Sequence, residues 1–484
     1  MASVKLFNHH IRTPFIILIV LEFLILFGSV YFAVYLRFQE IQWQPTIVSL
    51  ENFPLKALVF SGAHILGMIA MGQYQSPTPK GKHFFPFILQ RVTISLILGS
   101  AGLVIVYYIF PNLLIGRGLF GYAFAASLGG MSVLRTMVYH SVDGKALRRK
   151  ILVLGTGSLA HDLLDFDPES NSDSHGYQRV LTPPYASYAI HGFVQIMDEE
   201  NVVEEKYIVK PGDDLANYCL EYQIDEVVVA ISDRRKALPV DQLLECKLNH
   251  INCIDFVAFW EREKGMLRLD RLNPSWIIFN EGGNRGAFGH MLSRFFDLLF
   301  SSIILAFMLP ILLLTALMIY IESGFSGPIF YRQVRVGLNG NNFDLLKFRS
   351  MVVDAEKKGE AKWASQNDAR ITRIGKFIRK VRIDELPQVL NIFRGDMSIV
   401  GPRPERPEFV DKLSKKIPFY KNRHSVKPGL AGWAQLKYPY GASDEDAYNK
   451  LQYDLNYVKN HSILMDALIL LQTVEVILLG KGAR

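Results

Sequence analysis

Residues 295–321 read FFDLLFSSIILAFMLPILLLTALMIYI. The run exceeds the roughly 20 apolar residues needed to cross a ~30 Å hydrocarbon core, yet Pro310 sits at its middle. A proline there removes a backbone hydrogen bond and kinks the helix. Two readings follow. A straight crossing puts everything after residue 322 on the opposite side of the membrane from what precedes it. A re-entrant helix that dips in, breaks and returns keeps both flanks on one side. Hydropathy alone favours the crossing, so the choice depends on what the flanks carry.

Upstream, four apolar segments at about 14–36, 55–72, 92–110 and 118–138 are each close to spanning length. Lys5 and Arg12 precede the first, Lys80, Lys82 and Arg91 lie between the second and third, and KALRRK follows the fourth. Positive charge marks the cytoplasmic side, so the N-terminus and everything after residue 140 are expected there. No small-residue cleavage site follows the first run, which therefore reads as a retained anchor. The composition agrees: half of the 484 residues are hydrophobic and a fifth are charged, too apolar for an ordinary soluble protein. The net charge of +7 is modest and gives no reason to expect nucleic acid.

From residue 149, short β-rich runs alternate with amphipathic stretches: KILVLGTGS, DDLANYCLEYQ, EVVVAIS, VDQLLECKLNH, CIDFVAF. That alternation predicts a parallel α/β domain. GTGSLA after the first strand matches a dinucleotide-binding turn in which Gly155 and Gly157 let the backbone approach a pyrophosphate. The ribose-binding acid about 20 residues on has no clear place. Nucleotide binding and a fold kept for regulation or dimerisation both stay open. Cys219, Cys246 and Cys253 show neither CxxC nor zinc spacing and read as reduced thiols.

Downstream, residues 323–460 look soluble and basic, and the chemistry is expected there. In VRIDELPQVLN, 381–391, Asp384 and Glu385 follow Arg382, and Pro387 suggests a helix starting at about Asp384. The positive end of a helix dipole would keep both acids ionised, as a nucleophile or metal ligand requires. The plain alternative is an N-cap followed by a solvated first-turn acid. Cations surround the pair in YRQVRVG, KFRSM, RITRIGKFIRKVR and GPRPERPE. The run from Arg370 to Lys380 suits a solvated or membrane-docking face. In GPRPERPE, Pro402, Pro404 and Pro407 stiffen the chain and pre-set Arg403 and Arg406 as a clamp for a diphosphate or oxyanion. Walker-type G-K-[ST], H-E-x-x-H and G-x-S-x-G motifs are absent. The DED at 444–446 arises too easily in a polar loop to carry weight. The final apolar stretch, SILMDALILLQTVEVILLG, is interrupted by Asp466, Gln472 and Glu475 and reads as a helix along the membrane face.

These residues together resemble the large monotopic phosphoglycosyl transferases, the bacterial polyprenyl-phosphate sugar-1-phosphate transferases of exopolysaccharide assembly. GPIFYRQVRVGLNGNNFDLLKFRSM, RIDELPQVLNIFRGDMSIVGPRPE and VKPGLAGWAQ follow that family's pattern in its order. The resemblance implies a mixed membrane protein: a four-helix transmembrane bundle at 1–140, a Rossmann-like α/β domain at 149–262, and a monotopic α/β catalytic domain at 288–484 on a re-entrant helix at 293–322, broken at Pro310. It implies transfer of a sugar phosphate from a UDP-sugar, such as UDP-glucose or UDP-galactose, to polyprenyl (undecaprenyl) phosphate, with Mg²⁺ and release of UMP. Asp384 would attack the β-phosphorus and carry the phosphosugar; Glu385 would ligate the metal, with Asp454 of YDLNYV as a further metal-site or support acid. Arg403 would bind phosphate, with Lys347, Arg349, Arg382 and Arg406 in the same role. The setting implied is the bacterial inner membrane, with soluble domains in the cytoplasm, membrane lipid around the helices, and a homodimer and polysaccharide-assembly proteins as partners. Two other classes compete with this reading. A membrane-anchored nucleotide-sugar dehydratase or epimerase needs a Tyr-x-x-x-Lys pair, which the sequence lacks. A non-catalytic assembly protein would keep its function when Asp384 is changed.

Overall fold

The computed structural model describes residues 3–6, 9–38, 52–74, 84–141, 149–164, 188–196, 201–212, 214–231, 238–272, 286–325, 327–353, 370–438, 441 and 443–478. They form two compact units, Met1–Lys264 and Gly265–Arg484.

The first unit opens with a short hairpin, β1 (Ser3–Leu6) and β2 (His9–Arg12), and four long helices, α1 (Thr13–Arg37), α2 (Phe53–Ala70), α3 (Phe84–Ile109) and α4 (Arg117–Ser141). Among the described residues, α1, α2 and α3 are long and apolar enough to cross a membrane, as is one helix of the second unit. Helix α4 packs along α1 through a core that includes Leu26, Val30, Ala123 and Met131. It carries Arg135, whose guanidinium is buried against Glu22 of α1 at 2.7 Å and donates to Gln73 at 2.6 Å, while Tyr74 donates to Glu22 at 2.6 Å. A charge inside such a bundle is tolerated because it is paired. Helix α3 starts eight residues before the expected boundary at 92, so Arg91 is not a loop cation: it lies in the helix and donates to the Met71 carbonyl at the end of α2. Lys80 and Lys82, used above for orientation, lie outside the described residues.

The α/β part follows as β3 (Arg149–Leu154), α5 (Ser158–Leu164), β4 (Tyr188–Val194), β5 (Ile208–Val209), α6 (Leu215–Glu221), β6 (Glu226–Val229), α7 (Val240–Leu248), β7 (Asn252–Asp255) and α8 (Phe256–Lys264). The strands form one parallel sheet in the order β5-β4-β3-β6-β7. Residues 151–154 of strand β3 are continuously apolar and buried because helices cover both faces. In the turn after β3, Gly155 has φ 123°, which favours glycine. The turn is also tied into its own domain: Thr156 is fully buried, donates to Asn201 at 2.6 Å, and its carbonyl accepts from the amides of Val202 and Val203. Gly157 leads into α5, whose seven residues make a short anion platform at best. Burial pushes the Cys219 thiol up to about 12 and Cys253 to about 11, so both stay protonated and weakly reactive.

The amino ends of the central strands are closed by charge. Glu226, at the start of β6, accepts two bonds from Arg262 of α8 (2.9 and 2.6 Å) and one from Arg149 of β3 (3.3 Å), and also bonds Asn252 of β7; Glu263 pairs with both arginines. Removing one member leaves buried charge uncompensated. Glu226→Ala is expected to destabilise this domain by about 3 kcal/mol. Hydrogen exchange on the full-length chain reads it as faster exchange confined to β3, β6 and β7.

The longest element of the second unit is α9 (Ala287–Glu322), a helix of 36 residues. Its residues are helical on both sides of and at Pro310, so the proline lies inside one helix. One lost hydrogen bond is not enough to end a helix whose flanking turns are uniformly apolar. The hairpin β8 (Phe330–Val336) and β9 (Asn342–Phe348) follows, paired antiparallel with Tyr331 opposite Lys347. Next come α10 (Arg373–Lys380), a 3-10 turn (Ile383–Gln388), α11 (Val389–Arg394), β10 (Ser398–Val400), α12 (Pro407–Lys416), β11 (Gly429–Ala431), α13 (Trp433–Lys437), α14 (Asp444–Asn460) and α15 (Ile463–Leu478). Strands β10 and β11 pair in parallel, and Gly401 and Gly429 let the backbones cross so closely that a Cβ on Gly429 would lie 2.0 Å from the Gly401 nitrogen. Leu345, Ile392, Met397, Ile399, Tyr457, Met465 and Ile469 build the core beneath this crossing. The DED segment opens α14, where Ser443 and Asp446 form a capping box and Asp444 pairs with Lys416.

Candidate active site

The acid pair does not begin an α-helix. Asp384 and Glu385 occupy the first turn of the 3-10 segment, preceded by Arg382 in the left-handed region (φ 58°), and the α-helix starts only at Val389. Asp384 is therefore not an N-cap. Pro387 is still tolerated, because it falls where few backbone donors have intrahelical partners. Asn391, fully buried, fixes the turn to the hairpin: its amide donates to the Asp344 carbonyl (2.7 Å) and its oxygen accepts from the Leu346 amide (3.0 Å). That places the acids beside Lys347 of β9.

The two carboxylates have opposite environments. Glu385 accepts from Arg403 Nη2 at 2.6 Å, with Lys347 Nζ at 3.6 Å on the same oxygen and Arg382 Nη1 at 3.4 Å on the other. Burial opposes its charge, but Arg403, Lys347 and Arg382 outweigh burial and hold the carboxyl well below the usual range. Asp384 makes no hydrogen bond or ion pair among the described residues. Burial, and then the charge of Glu385, raise its pKa against the pull of Lys347, Arg379 and Arg403. The dipole argument thus holds its sign for Glu385 and fails for Asp384, where desolvation and a like charge win. One acid is pinned and permanently ionised. Its neighbour is unpinned and more basic.

Arg403 owes its position to buried groups on both sides of its loop. Arg423 donates to the Arg403 carbonyl (2.9 Å), to Tyr420 Oη (2.9 Å), and to Asp454 Oδ2 (2.8 Å), with both ends of that ion pair buried. Arg335 donates to the Pro404 carbonyl (3.0 Å) and is itself held by Gln333 (2.6 and 3.1 Å), while the Val336 amide donates to the Glu405 carbonyl (2.9 Å). Asp454, expected as a further metal-site or support acid, has its carboxylate on Arg423, in a buried ion pair beneath the clamp loop. Of the two clamp arginines, Arg403 lies on Glu385; Arg406 turns to Glu408 (3.5 Å) and the Phe409 ring at the head of α12. Arg349, immediately after the end of β9, has a buried Nη1 without a hydrogen-bond acceptor among the described residues. Sequence reasoning missed Asn391, Arg335 and Arg423. Asn391 and Arg335 lie inside motifs quoted above; nothing near Arg423 marks it.

A pinned carboxylate beside an unpinned one, ringed by cations and built on a membrane-anchored unit, describes a phosphoryl-transfer site. A family model for bacterial sugar transferases matches residues 288–480. An Aeromonas hydrophila protein named UDP-N-acetylgalactosamine-undecaprenyl-phosphate N-acetylgalactosaminephosphotransferase is 37% identical over 308 residues, covering 63% of this chain and 70% of the relative. A Klebsiella pneumoniae UDP-glucose:undecaprenyl-phosphate glucose-1-phosphate transferase is 39% identical over 305 residues, 62% and 64% of the two chains. One of the same name from Xanthomonas campestris pv. campestris is 40% identical over 173 residues, 35% of this chain and 36% of the relative. The chain belongs to the bacterial sugar transferase family, the polyprenyl-phosphate glycosyl-1-phosphate transferases.

The Arg423–Asp454 pair gives a stability test. Arg423→Met strands a buried carboxylate and is expected to cost about 3 kcal/mol, whereas Arg423→Met with Asp454→Leu recovers most of that loss. Thermal unfolding of the purified chain in detergent compares the three proteins.

Proposed function

We propose that the chain transfers a sugar-1-phosphate from a UDP-sugar to undecaprenyl phosphate, releasing UMP, as the initiating membrane step of surface-glycan synthesis. The observation that carries the mechanism is the divergence of Asp384 from Glu385. In the first step Asp384 Oδ attacks the sugar-bearing phosphorus in line with the diphosphate bridge. The bond from that phosphorus to the bridging oxygen breaks, and UMP leaves with that oxygen and its electron pair. In the second step an oxygen of the acceptor's phosphate attacks the same phosphorus, a polyprenyl diphosphate sugar forms, and the Asp384 carboxylate is regenerated. Carboxylates are established covalent nucleophiles, and one whose basicity is raised by burial is the better of two. Glu385 fixes Arg403 and Lys347 around the phosphates, and Arg349 Nη1 supplies a further buried donor in want of an acceptor.

The donor set fits Mg²⁺, an oxygen-seeking ion held in such sites by one or two carboxylates together with substrate phosphates. Glu385 is the oxygen donor that would hold it, its carboxyl kept well below the usual range by Arg403, Lys347 and Arg382. Bound there, Mg²⁺ would neutralise charge on the transferring and leaving phosphates.

For topology we propose that α9 bends at Pro310 and returns, leaving the catalytic unit on the cytoplasmic face of the inner membrane. Support comes from where its two ends dock. Arg294 reaches the carbonyls of Ile392 and Phe393, while Ile319 packs with Phe348, Ile378 and Ile383. A straight helix separates residues 294 and 319 by about 37 Å. Ile383 and Ile392 are only about 17 Å apart along the 3-10 turn and α11. Side-chain reach narrows that mismatch and a bend closes it.

Purified protein in nanodiscs, given undecaprenyl phosphate, Mg²⁺ and a panel including UDP-glucose, UDP-galactose and UDP-N-acetylgalactosamine, is expected to release UMP from at least one donor. Asp384→Asn should lower that rate by about a thousandfold, and chelation should stop it until Mg²⁺ is restored. The ionised form of Asp384 is the active one and its pKa is raised, so kcat should fall with decreasing pH at a midpoint above the ordinary carboxylate value of about 4. An Asp384→Asn enzyme with wild-type turnover overturns the nucleophile assignment.

The returning helix is checked separately. Single cysteines replacing Ser293 and Ser323, in a cysteine-free background, should both react with a membrane-impermeant maleimide in inverted vesicles and neither in intact spheroplasts. Opposite labelling of the two positions means a straight crossing.

A further inference from the structure

We infer that the first turns of the membrane helix set the spacing between the acid pair and the phosphate clamp, through two side chains that touch neither: Arg294 and Asp297. The inference rests on the reading of Asp384 as nucleophile and goes beyond it by adding two positioning residues.

Both side chains project from one face of α9, three residues apart. Arg294 donates from Nη1 to the Ile392 carbonyl (2.5 Å) and from Nη2 to the Phe393 carbonyl (2.6 Å). These are carbonyls of the last turn of α11, where backbone acceptors outnumber backbone donors; that of Ile392 also accepts from the Gly395 amide (3.0 Å). A guanidinium on them caps the helix and complements its negative end. Gly395, with φ 92°, ends α11 immediately afterwards, and a Cβ there would sit 3.8 Å from Arg294 Nη2. Asp297 is buried, and a single oxygen, Oδ1, accepts from Ser398 Oγ (2.8 Å) and from the Ile399 amide (2.9 Å). Ser398 and Ile399 open β10, and β10 runs directly into Gly401, Pro402 and Arg403.

One turn of the membrane helix therefore grips the far end of the acid-bearing segment with Arg294 and the near end of the clamp-bearing segment with Asp297. Asp384 and Glu385 lie at the other end of the first, Arg403 at the end of the second, and the two meet at the 2.6 Å contact between Glu385 and Arg403. A slip of α11 against β10 would leave each motif intact and move the nucleophile relative to the clamped phosphate. Displacements of about 1 Å from remote changes lower rates by about a hundredfold. Arg294 is thus an internal cap and not the headgroup anchor that its place at the start of an apolar helix suggests.

The test compares Arg294→Ala, Asp297→Ala and Asp297→Asn with wild type in nanodiscs, reading kcat and KM for UMP release with the donor that wild type uses. Each Ala variant is expected to lose about 10- to 100-fold in kcat with the donor KM changed less than about threefold. Asp297→Asn keeps an acceptor oxygen for both bonds and is expected to stay within about threefold of wild type. The Arg294→Ala/Asp297→Ala double variant should fall well short of the product of the two losses, because both act on one spacing. Should the Ala variants fail to fold, Arg294→Lys and Asp297→Glu, which keep the charge but change the reach, carry the decision through lowered kcat at unchanged thermal stability. Unchanged kcat in folded variants overturns the inference, as does an Asp297→Asn loss equal to that of Asp297→Ala, or a loss expressed in KM. Absence of UMP release by wild type would instead refute the function on which it rests.

Discussion

The contact between Arg403 and Glu385 is the constraint around which the catalytic unit is arranged. A buried carboxylate without a partner would take up a proton or unfold its surroundings. With Arg403, Lys347 and Arg382 around it, Glu385 stays ionised and in turn holds three cations that would otherwise repel one another. Each of those cations arrives on a different element: Lys347 on the hairpin, Arg382 at the lip of the 3-10 turn, Arg403 in the proline-rich loop. The surrounding structure can be understood as what delivers them. Asn391 stitches turn to hairpin, Arg335 and Arg423 hold the loop from either side, and Asp454 balances Arg423 in the interior.

The adjacency of Asp384 acquires its meaning from this arrangement. Successive residues in a 3-10 turn point about 120° apart, so two neighbouring acids can face different surroundings, one held in the cation cluster and the other outside it. The same like charge that lowers nothing for Glu385 raises Asp384, because the cations act chiefly on the nearer carboxylate. An Asp-Glu pair in a regular α-helix dipole field, the geometry expected from Pro387, would push both acids in the same direction. The shift from α to 3-10 geometry is therefore part of what separates their roles.

Much of this was legible in the sequence, and the failures share a cause. Local patterns were readable: the apolar runs of α1 to α4, the strand-helix alternation that became the five-stranded parallel sheet, the proline-stiffened GPRPE loop, and the cation density around Asp384 and Glu385. What could not be read were effects that need a partner distant in sequence. The commitment of Asp454 to Arg423, the Arg294 cap on α11 and the bond from Arg91 to the Met71 carbonyl depend on contacts across 20 to 99 positions, and the raised Asp384 depends on burial that no local pattern displays. Arg423 illustrates the point most clearly. In RHSVKPG it looks like one more surface cation, and only its burial beside Tyr420 and Asp454 shows that it supports the clamp.

Charge counting connects the site to the order of events. Lys347, Arg379, Arg382 and Arg403 act on Asp384 and Glu385, four cations against two carboxylates, for a net of two positive charges before any substrate arrives. The Mg²⁺ proposed above would add two more, giving about four positive charges for the phosphates the site handles. A diphosphate bridge carries about two negative charges and a phosphate monoester brings about two more. In the proposed two-step route UMP would take its charge away before the acceptor's phosphate enters, so the cations that held the leaving phosphate would be free to receive the incoming one.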